Sequence, residues 1–259
     1  MKIILLGCTK FSEEILLMLL QRKFKISAIF TIPPKFKISY SKKEVTNYNY
    51  SDLKTIAGKF YIKTYTVNSR PGKTIGDYQK IIAKISPDVI IAAGWYYMVP
   101  KKIRDIPTYG AWGIHASLLP NYAGGAPLVW AMINGEKKTG VTLFKLDKGV
   151  DDGDIIAQKA FPIEFDDTIK EVYEKATESS KELLALALRN PRRLRFKPQN
   201  REGMRVYSQR TPADGRIDLT KSAREIYNFI RAQSAPYPGA FIETRDGKKI
   251  YIEKAMMVK

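Results

Sequence analysis

The chain is poor in the residues that most often carry reactive chemistry. Among its 259 residues there is one histidine, His115, and one cysteine, Cys8. A single cysteine excludes an intrachain disulfide and favours a reducing compartment. A single histidine leaves one imidazole that titrates near neutral pH, so His115 is the obvious candidate for acid–base work.

Long apolar runs are also missing. The run from Val89 to Ala93 is among the longest, and it falls well short of the ~20 residues needed to cross a bilayer. Leu5-Leu-Gly-Cys8 superficially resembles a lipoprotein cleavage box, but the apolar stretch before it covers only Ile3 to Leu6. A signal-peptide core needs roughly 7–15 residues. We therefore expect a cytoplasmic protein without a membrane partner.

Common cofactor signatures are absent as well. The turn from Gly7 to Phe11 holds one glycine, which disfavours the three-glycine fingerprint of nicotinamide binding, and there is no Gly-Lys-Ser/Thr phosphate loop. Asp151, Asp152 and Asp154 can be interpreted as a metal site. Their spacing does not fit a calcium loop, and we predict no metal.

What the chain has in excess is positive charge. It carries 44 Lys+Arg against 26 Asp+Glu, a formal net charge of +18. Such a balance favours polyanionic partners such as nucleic acid or phosphorylated small molecules. The lysines are scattered, which agrees equally with a compositional bias. One local cluster lies between Arg189 and Arg205, and it is either a solvated linker or a binding surface.

Apolar strand-like runs alternate with helical patterns along most of the chain. The runs are Lys2–Leu6, Phe24–Ile32, Tyr61–Val67, Asp88–Ala93, Tyr109–Ile114, Gly140–Leu146 and Asp154–Phe161. The helical patterns are Ser12–Gln21, Ser51–Ala57, Thr74–Ile85, Ala126–Asn134 and a helix capped at Asp167–Thr168 that reaches about Leu188. This alternation predicts an α/β fold with a Rossmann-like, mostly parallel sheet flanked by helices.

The end of the chain has a different pattern. Pro191 to Arg205 is rich in arginine and proline. After it come a helix over Ser222–Arg231 and a hairpin across Asp246-Gly247, a strong two-residue turn signal. We predict a main domain over 1–190, a basic linker over 191–209 and a small C-terminal α+β appendage over 210–259.

His115 lies at the end of a predicted strand, followed by a turn at Pro120 and by Gly124-Gly125. Side chains at such strand ends face the crevice where open α/β sheets bind ligands. Thirty-six positions later stands Asp151, in the acidic turn Asp151-Asp-Gly-Asp154. A carboxylate beside an imidazole orients the ring and stabilises its cationic form.

These segments closely resemble the formyltransferases that use 10-formyltetrahydrofolate. The resemblance is carried by Gly113–Pro127, Thr139–Thr142 and Asp147–Asp154. It continues in order over Asp88–Trp95, Pro100–Pro107, Asp214–Asp218, Ile230–Ala232 and Pro236–Phe241. It implies the formyltransferase fold for the predicted α/β sheet and an N-formyltransferase activity with 10-formyltetrahydrofolate as co-substrate.

The resemblance also implies roles for particular residues. In this family an amine attacks the formyl carbon, an oxyanion develops and tetrahydrofolate leaves. His115 would hydrogen-bond the oxyanion, and Asp151 would pair with the ring and help to move protons. The pterin pocket would be lined by Gly94 and Trp95 and by Lys148, Gly149, Val150 and Asp152. The aromatic run Trp95 to Tyr97 either stacks on a ligand or packs a strand end.

One position departs from the family pattern. Relatives usually carry asparagine two residues before the histidine, as a second oxyanion donor, and this chain has Gly113. Water or a neighbour such as Ser117 or Thr142 would have to replace it. Losing one such donor outright costs ~100- to 1,000-fold in rate.

The acceptor is predicted from the site loop and the length of the chain. Relatives that act on methionyl-tRNA resemble Arg-x-Arg-Gly where this loop reads Asn121-Tyr-Ala-Gly, and they carry a full C-terminal barrel. Both features favour a nucleoside-diphosphate-linked amino deoxysugar, as in lipopolysaccharide biosynthesis. Homodimers are common among sugar-acting relatives. The alternatives are tRNA as acceptor, favoured by the charge, and a catalytically weakened folate-binding homologue, favoured by Gly113.

Overall fold

The computed structural model describes residues 1–39, 41, 43–202 and 204–257. Its strands are β1 (Lys2–Leu6), β2 (Lys25–Thr31), β3 (Lys35–Phe36), β4 (Val45–Thr46), β5 (Thr64–Thr66), β6 (Val89–Ala92), β7 (Ala111–His115), β8 (Ala123–Gly124), β9 (Lys138–Lys145), β10 (Ile155–Pro162), β11 (Val206–Tyr207), β12 (Ala240–Glu243) and β13 (Lys249–Ile252). Its α-helices are α1 (Lys10–Gln21), α2 (Leu53–Lys59), α3 (Gln79–Ile85), α4 (Lys101–Arg104), α5 (Pro127–Ile133), α6 (Ile169–Arg189) and α7 (Ala223–Arg231). Short 3-10 helices lie at Ile75–Tyr78, Pro191–Arg193 and Pro212–Gly215.

A seven-stranded sheet has the order β10-β9-β7-β6-β1-β2-β5. The strands from β7 to β5 are parallel to their neighbours, and β9 runs antiparallel to β7. The predicted α/β fold with a mostly parallel sheet is therefore confirmed. The small antiparallel pair of β3 and β4 was not predicted. Strands of two residues are too short for an alternating pattern.

The central strands β1 and β6 contain the uninterrupted apolar runs Ile3–Leu6 and Val89–Ala92, because both faces of the sheet are covered. Ile3 and Leu5 of β1 belong to one apolar cluster, which includes residues of α1, α2 and α6. Ile4 and Leu6 belong to a second cluster, which includes Ile82 of α3. Alternate residues of a strand point to opposite faces. An uninterrupted apolar run is therefore the expected sequence of such a strand.

Contacts between residues divide the chain into two compact units. The first comprises Met1–His115, Thr142–Ala157 and Ser180–Gln199, and the second comprises Ala116–Val141, Gln158–Ser179 and Asn200–Lys259. These units interleave along the chain, and the three-part division into 1–190, 191–209 and 210–259 stays a prediction. The basic segment contacts the sheet directly, because the backbones of Lys197 and Ile155 exchange hydrogen bonds of 2.8 and 2.9 Å.

The second unit contains the predicted helix and hairpin near the end of the chain. Ser222 caps α7 and forms a capping box with Glu225. β12 and β13 pair antiparallel on either side of the Asp246-Gly247 turn. Ile217, Ile230 and Ala240 form the buried apolar cluster that joins these elements.

The longest helix of the described residues, α6, has 21 residues and contains several glutamates and lysines. Within the part of the chain that the structure describes, no helix has both the length and the apolar character that a bilayer crossing requires.

Cys8 lies at the end of β1 and its side chain is 0% exposed. Its thiol donates to the carbonyl of Gly94 at 3.4 Å. Burial raises the pKa of Cys8 to about 12. Because the thiolate is the reactive form of cysteine, the folded chain keeps this group protonated through neutral and mildly alkaline pH.

We predict that the native protein resists alkylation by iodoacetamide at pH 8, whereas the guanidinium-unfolded protein takes up one label per chain, at its single cysteine. Intact mass spectrometry measures both results. Stoichiometric labelling of the native protein at the rate of the unfolded chain would contradict this burial.

Candidate active site

β7 brings His115 to the carboxyl end of the parallel strands. In the parallel ladder of β6 and β7, Ala92 is opposite Gly113. Gly94 and His115 each lie two residues further along the chain from that pair. On its other side β7 pairs with β9, with His115 opposite Thr142. The carboxyl end of an open parallel sheet is where such folds bind ligands.

The loop after β9 returns Asp151 to the histidine. The Nδ1 atom of His115 lies 3.4 Å from Oδ2 of Asp151, and the two side chains are only 9% and 20% exposed. This separation is an ion-pair distance, longer than a tight charge-assisted hydrogen bond. With Nδ1 facing the carboxylate, the other ring nitrogen, Nε2, is directed away from it.

The backbone of this loop is held in an unusual conformation. Asp151 has φ +49°, in the left-handed region that non-glycine residues seldom adopt. A Cβ atom at Gly153 would lie 1.6 Å from the carbonyl oxygen of Lys145, so only glycine is compatible with this close approach. The Lys145 N–H also donates to the carbonyl of Asp154 at 2.9 Å, which joins the two ends of the loop.

The other predicted loop residues have different environments. Asp152 is buried, and its Oδ2 accepts from the Gly149 N–H at 2.9 Å, so these two residues stabilise the turn. Lys148 and Val150 are exposed. Gly149 is half-buried.

Gly94 and Trp95 follow β6 at the same end of the sheet. Gly94 has φ +63°, and a Cβ atom there would lie 2.0 Å from Oγ1 of Thr9. Trp95 is half-buried, and its indole N–H is inaccessible and has no hydrogen-bond partner among the described residues. A buried donor without a partner carries a free-energy penalty that a ligand acceptor can remove.

The aromatic residues beside Trp95 serve mainly to pack the strand end. Tyr97 makes an edge contact with the Trp95 ring, with centroids 6.0 Å apart, and donates to the carbonyl of Lys37 at 3.0 Å. Tyr96 donates to Oδ1 of Asn47 at 3.3 Å. These hydroxyls are engaged within the fold, which favours packing over ligand stacking for Tyr96 and Tyr97.

The described residues contain no group of three potential ligands that could hold a metal ion. The acidic turn separates its carboxylates. Asp151 faces His115, whereas Asp152 folds back onto Gly149.

Two residues proposed to replace the missing asparagine can now be placed. Thr142 is fully buried and is the cross-strand neighbour of His115. Ser117 donates to the carbonyl of Asn121 at 2.6 Å. Of the two, Thr142 lies on the same face of the sheet as the imidazole, because directly opposed residues share a face.

The space beside Gly113 is filled by apolar side chains. Gly113 pairs with Phe144 across the β7–β9 ladder. A Cβ atom at Gly113 would lie 2.7 Å from the Phe144 ring and 2.8 Å from Cδ2 of Leu146. Phe144 is 3% exposed, so its ring cannot move aside without disturbing the core.

One contact of the loop was not predicted. The side-chain amide of Gln199 donates to the carbonyl oxygens of Asp151 and Gly153. Gln199 lies within the basic segment between Arg189 and Arg205 and is 48 residues from Asp151. No local pattern around it indicates such a contact.

Family models match nearly the whole chain. The model described as "Formyl transferase" matches residues 1–188, and the one described as "Formyl transferase, C-terminal domain" matches residues 210–259.

Individual relatives and solved structures are also similar to this chain over most of its length. The chain is 30% identical to methionyl-tRNA formyltransferase of Caldanaerobacter subterraneus subsp. tengcongensis over 100% of this chain and 82% of that protein. The structure of a sugar N-formyltransferase from Shewanella sp. FDAARGOS_354 superposes with a TM-score of 0.74 at 20% identity, over 100% of this chain and 99% of that one. The sugar 3N-formyltransferase WlaRD, solved in the presence of dTDP and 5-N-formyl-THF, gives a TM-score of 0.66 at 21% identity, over 90% and 78%.

The contact at Gly113 leads to a stability prediction. We expect Gly113→Asn alone to destabilise the protein by about 1–3 kcal/mol, because it overpacks the space held by Phe144. Phe144→Ala alone should cost about 3–5 kcal/mol through the cavity it leaves.

The double variant should lose about 0.5–3 kcal/mol less unfolding free energy than the two single losses added together. The smaller side chain at position 144 leaves room for the asparagine, and the asparagine partly fills the cavity. Urea unfolding of the four proteins gives this coupling. Strictly additive losses would contradict a direct contact between the two positions.

Proposed function

The chain belongs to the formyl transferase family, and from that premise we propose that it transfers a formyl group from 10-formyltetrahydrofolate to the amino group of a nucleotide-linked amino deoxysugar. The two family models confirm the family resemblance that the sequence motifs indicated. The observation that carries the catalytic part of the proposal is the largely buried His115–Asp151 pair at the carboxyl ends of the parallel strands.

In this proposal His115 stabilises charge on the reacting oxygen. Nδ1 faces Asp151, so Nε2 donates a hydrogen bond to the formyl oxygen as negative charge develops on it. Asp151 holds the ring in this orientation, stabilises its cationic form and helps to remove the proton that the attacking amine loses. A preorganised donor of this kind contributes about 100- to 1,000-fold in rate.

The folate supplies the formyl group, and the residues at the strand end fit it. Gly94 packs closely against Thr9, and the Trp95 indole N–H lacks a partner among the described residues. We assign the pterin to Gly94 and Trp95 together with the loop residues Lys148, Gly149, Val150 and Asp152. Formyl-folate accompanies the related WlaRD structure, which supports this donor class.

The acceptor assignment is supported by the loop after His115. Tyr122 stacks on Tyr207 with ring centroids 4.8 Å apart and donates to Oε1 of Glu136 at 2.8 Å. Burial raises the pKa of Tyr122 to about 12, so the hydroxyl stays protonated. The segment Asn121-Tyr-Ala-Gly contains no arginine, so it offers no guanidinium group to a phosphodiester backbone. The Shewanella enzyme, which matches along its whole length, is named a sugar N-formyltransferase.

Methionyl-tRNA is the second candidate acceptor. It is favoured by the 30% identity to a methionyl-tRNA formyltransferase over the full chain and by the net charge of +18. The basic residues between Arg189 and Arg205 would then contact phosphates. Together with the sugar acceptor, we propose that the protein forms a homodimer and is located in the cytoplasm.

We predict that a panel of nucleoside-diphosphate-linked amino sugars, incubated with 10-formyltetrahydrofolate and the protein, contains at least one member that gains a single formyl group. Mass spectrometry detects the product directly. Its formation should depend weakly on salt, because a diphosphate makes few ionic contacts.

Formylation of methionyl-tRNA, with none of the sugars reacting, would instead establish the second candidate. In that case tRNA affinity should fall steeply with salt, by about 10³–10⁵ between 50 and 200 mM for 6–10 phosphate contacts.

We expect His115→Ala and Asp151→Asn each to lower kcat by about 100- to 1,000-fold, because the first removes the oxyanion donor and the second its partner. Initial rates with the reactive acceptor measure the effect. Asp105→Asn, at an exposed ion pair on α4, is the matched control and should react normally. Wild-type rates from either site variant would refute the assigned roles.

A further inference from the structure

Gln199 contacts the loop that carries Asp151, although neither family model extends over it. The models end at residue 188 and resume at residue 210. Its Nε2 atom donates to the carbonyl oxygen of Asp151 at 2.9 Å and to that of Gly153 at 2.6 Å. One side chain therefore binds two carbonyls separated by a single residue.

We propose that Gln199 is a positioning residue for the carboxylate of Asp151. Its amide fixes the backbone of the Asp151–Gly153 segment, and that backbone directs the carboxylate to His115. This inference rests on the proposed function in assigning Asp151 to catalysis. Gln199 itself touches neither the imidazole nor any reacting atom in this assignment.

Gln199 is anchored independently of the loop that it holds. Two residues before it, Lys197 exchanges backbone hydrogen bonds of 2.8 and 2.9 Å with Ile155 at the start of β10. The backbone beside Gln199 is thus attached to the sheet. A side chain extending from such a fixed point can define the position of a loop.

The loop has a conformation that needs this support. Asp151 is a non-glycine residue at φ +49°, and left-handed backbone persists where surrounding contacts enforce it. Gly153 is pressed against the carbonyl of Lys145 on its other side. The segment is therefore bounded by the Lys145 carbonyl and by the Gln199 amide.

The contact requires a side chain that donates two hydrogen bonds, as the Gln199 amide does. Both loop partners are acceptors, and a side-chain NH₂ offers two donors from one atom. The Oε1 atom of Gln199 is buried and has no partner among the described residues. Flipping the amide would place that oxygen against two carbonyl oxygens, so the observed orientation is the favourable one.

The test uses three variants of the full-length chain. Gln199→Glu keeps the size of the side chain but replaces the donors with acceptors, and Gln199→Ala removes the group. Gln79→Ala, at an exposed position of α3, is the matched control. We expect both Gln199 variants to lose about 10- to 100-fold in kcat, because misplacing a catalytic group by about 1 Å costs this order of rate. The control should keep the wild-type rate.

A second measurement needs no activity at all. Because the chain has one histidine, ¹³C-labelling of histidine gives a single set of imidazole signals that reports on the environment of His115. We expect both Gln199 variants to move these signals in the direction produced by Asp151→Asn. Gln79→Ala should leave them in place.

A double-mutant cycle separates positioning from general stability. In the Asp151→Asn background, Gln199→Ala should cause little further loss of kcat, because the group that it positions is already lost. Unmoved imidazole signals in a folded Gln199 variant, or rate losses that simply multiply, would overturn the proposal. If no acceptor is formylated by the wild-type chain, the proposed function fails and the imidazole signals still decide the role of Gln199.

Discussion

The candidate site depends on the antiparallel pairing of β9 with β7. This register sets Thr142 against His115 and Phe144 against Gly113, and it also determines where the loop after β9 begins. The loop closes on itself, because the Lys145 N–H bonds the carbonyl of Asp154. Because its two ends are joined, the loop between Lys145 and Asp154 has fewer conformations than a segment with free ends. Moving the register by one residue would turn His115 and its neighbours to the other face of the sheet.

The same pairing explains how the chain accommodates glycine at position 113. Phe144 and Leu146 occupy the space that a side chain at Gly113 would take, so one side of the histidine strand is apolar. An apolar, water-poor surrounding strengthens electrostatic interactions between charged groups. In the proposed function, a charge that develops beside the largely buried His115–Asp151 pair is therefore screened less than one at the protein surface. Thr142 is the one polar side chain that this register places directly opposite the imidazole.

The sequence predicted those elements whose patterns are local. β1 was predicted with its observed bounds because its residues Ile3–Leu6 form a continuous apolar run, and the terminal hairpin followed from the Asp246-Gly247 turn. The predicted helix over Thr74–Ile85 begins instead as a 3-10 turn over Ile75–Tyr78, and Thr74 forms a capping box with Asp77 at its start. The contact of Gln199 with Asp151 and the packing of Phe144 over Gly113 were not predicted. Each of them joins segments whose proximity is decided by sheet register and not by neighbouring residues.

The residues proposed for formyl transfer and those proposed for acceptor recognition lie in different compact units of this chain. His115, Gly94 and Trp95, the loop Lys148–Asp152 and Gln199 all belong to the first compact unit, whereas Asn121–Gly124 belongs to the second. The proposed assignment therefore allows the acceptor loop to vary without any change in the residues proposed for formyl transfer. In that loop Asn121 and Ala123 stand where tRNA-acting relatives resemble arginine, and Tyr122 packs on Tyr207, so the loop differs from theirs without any change to the His115–Asp151 pair.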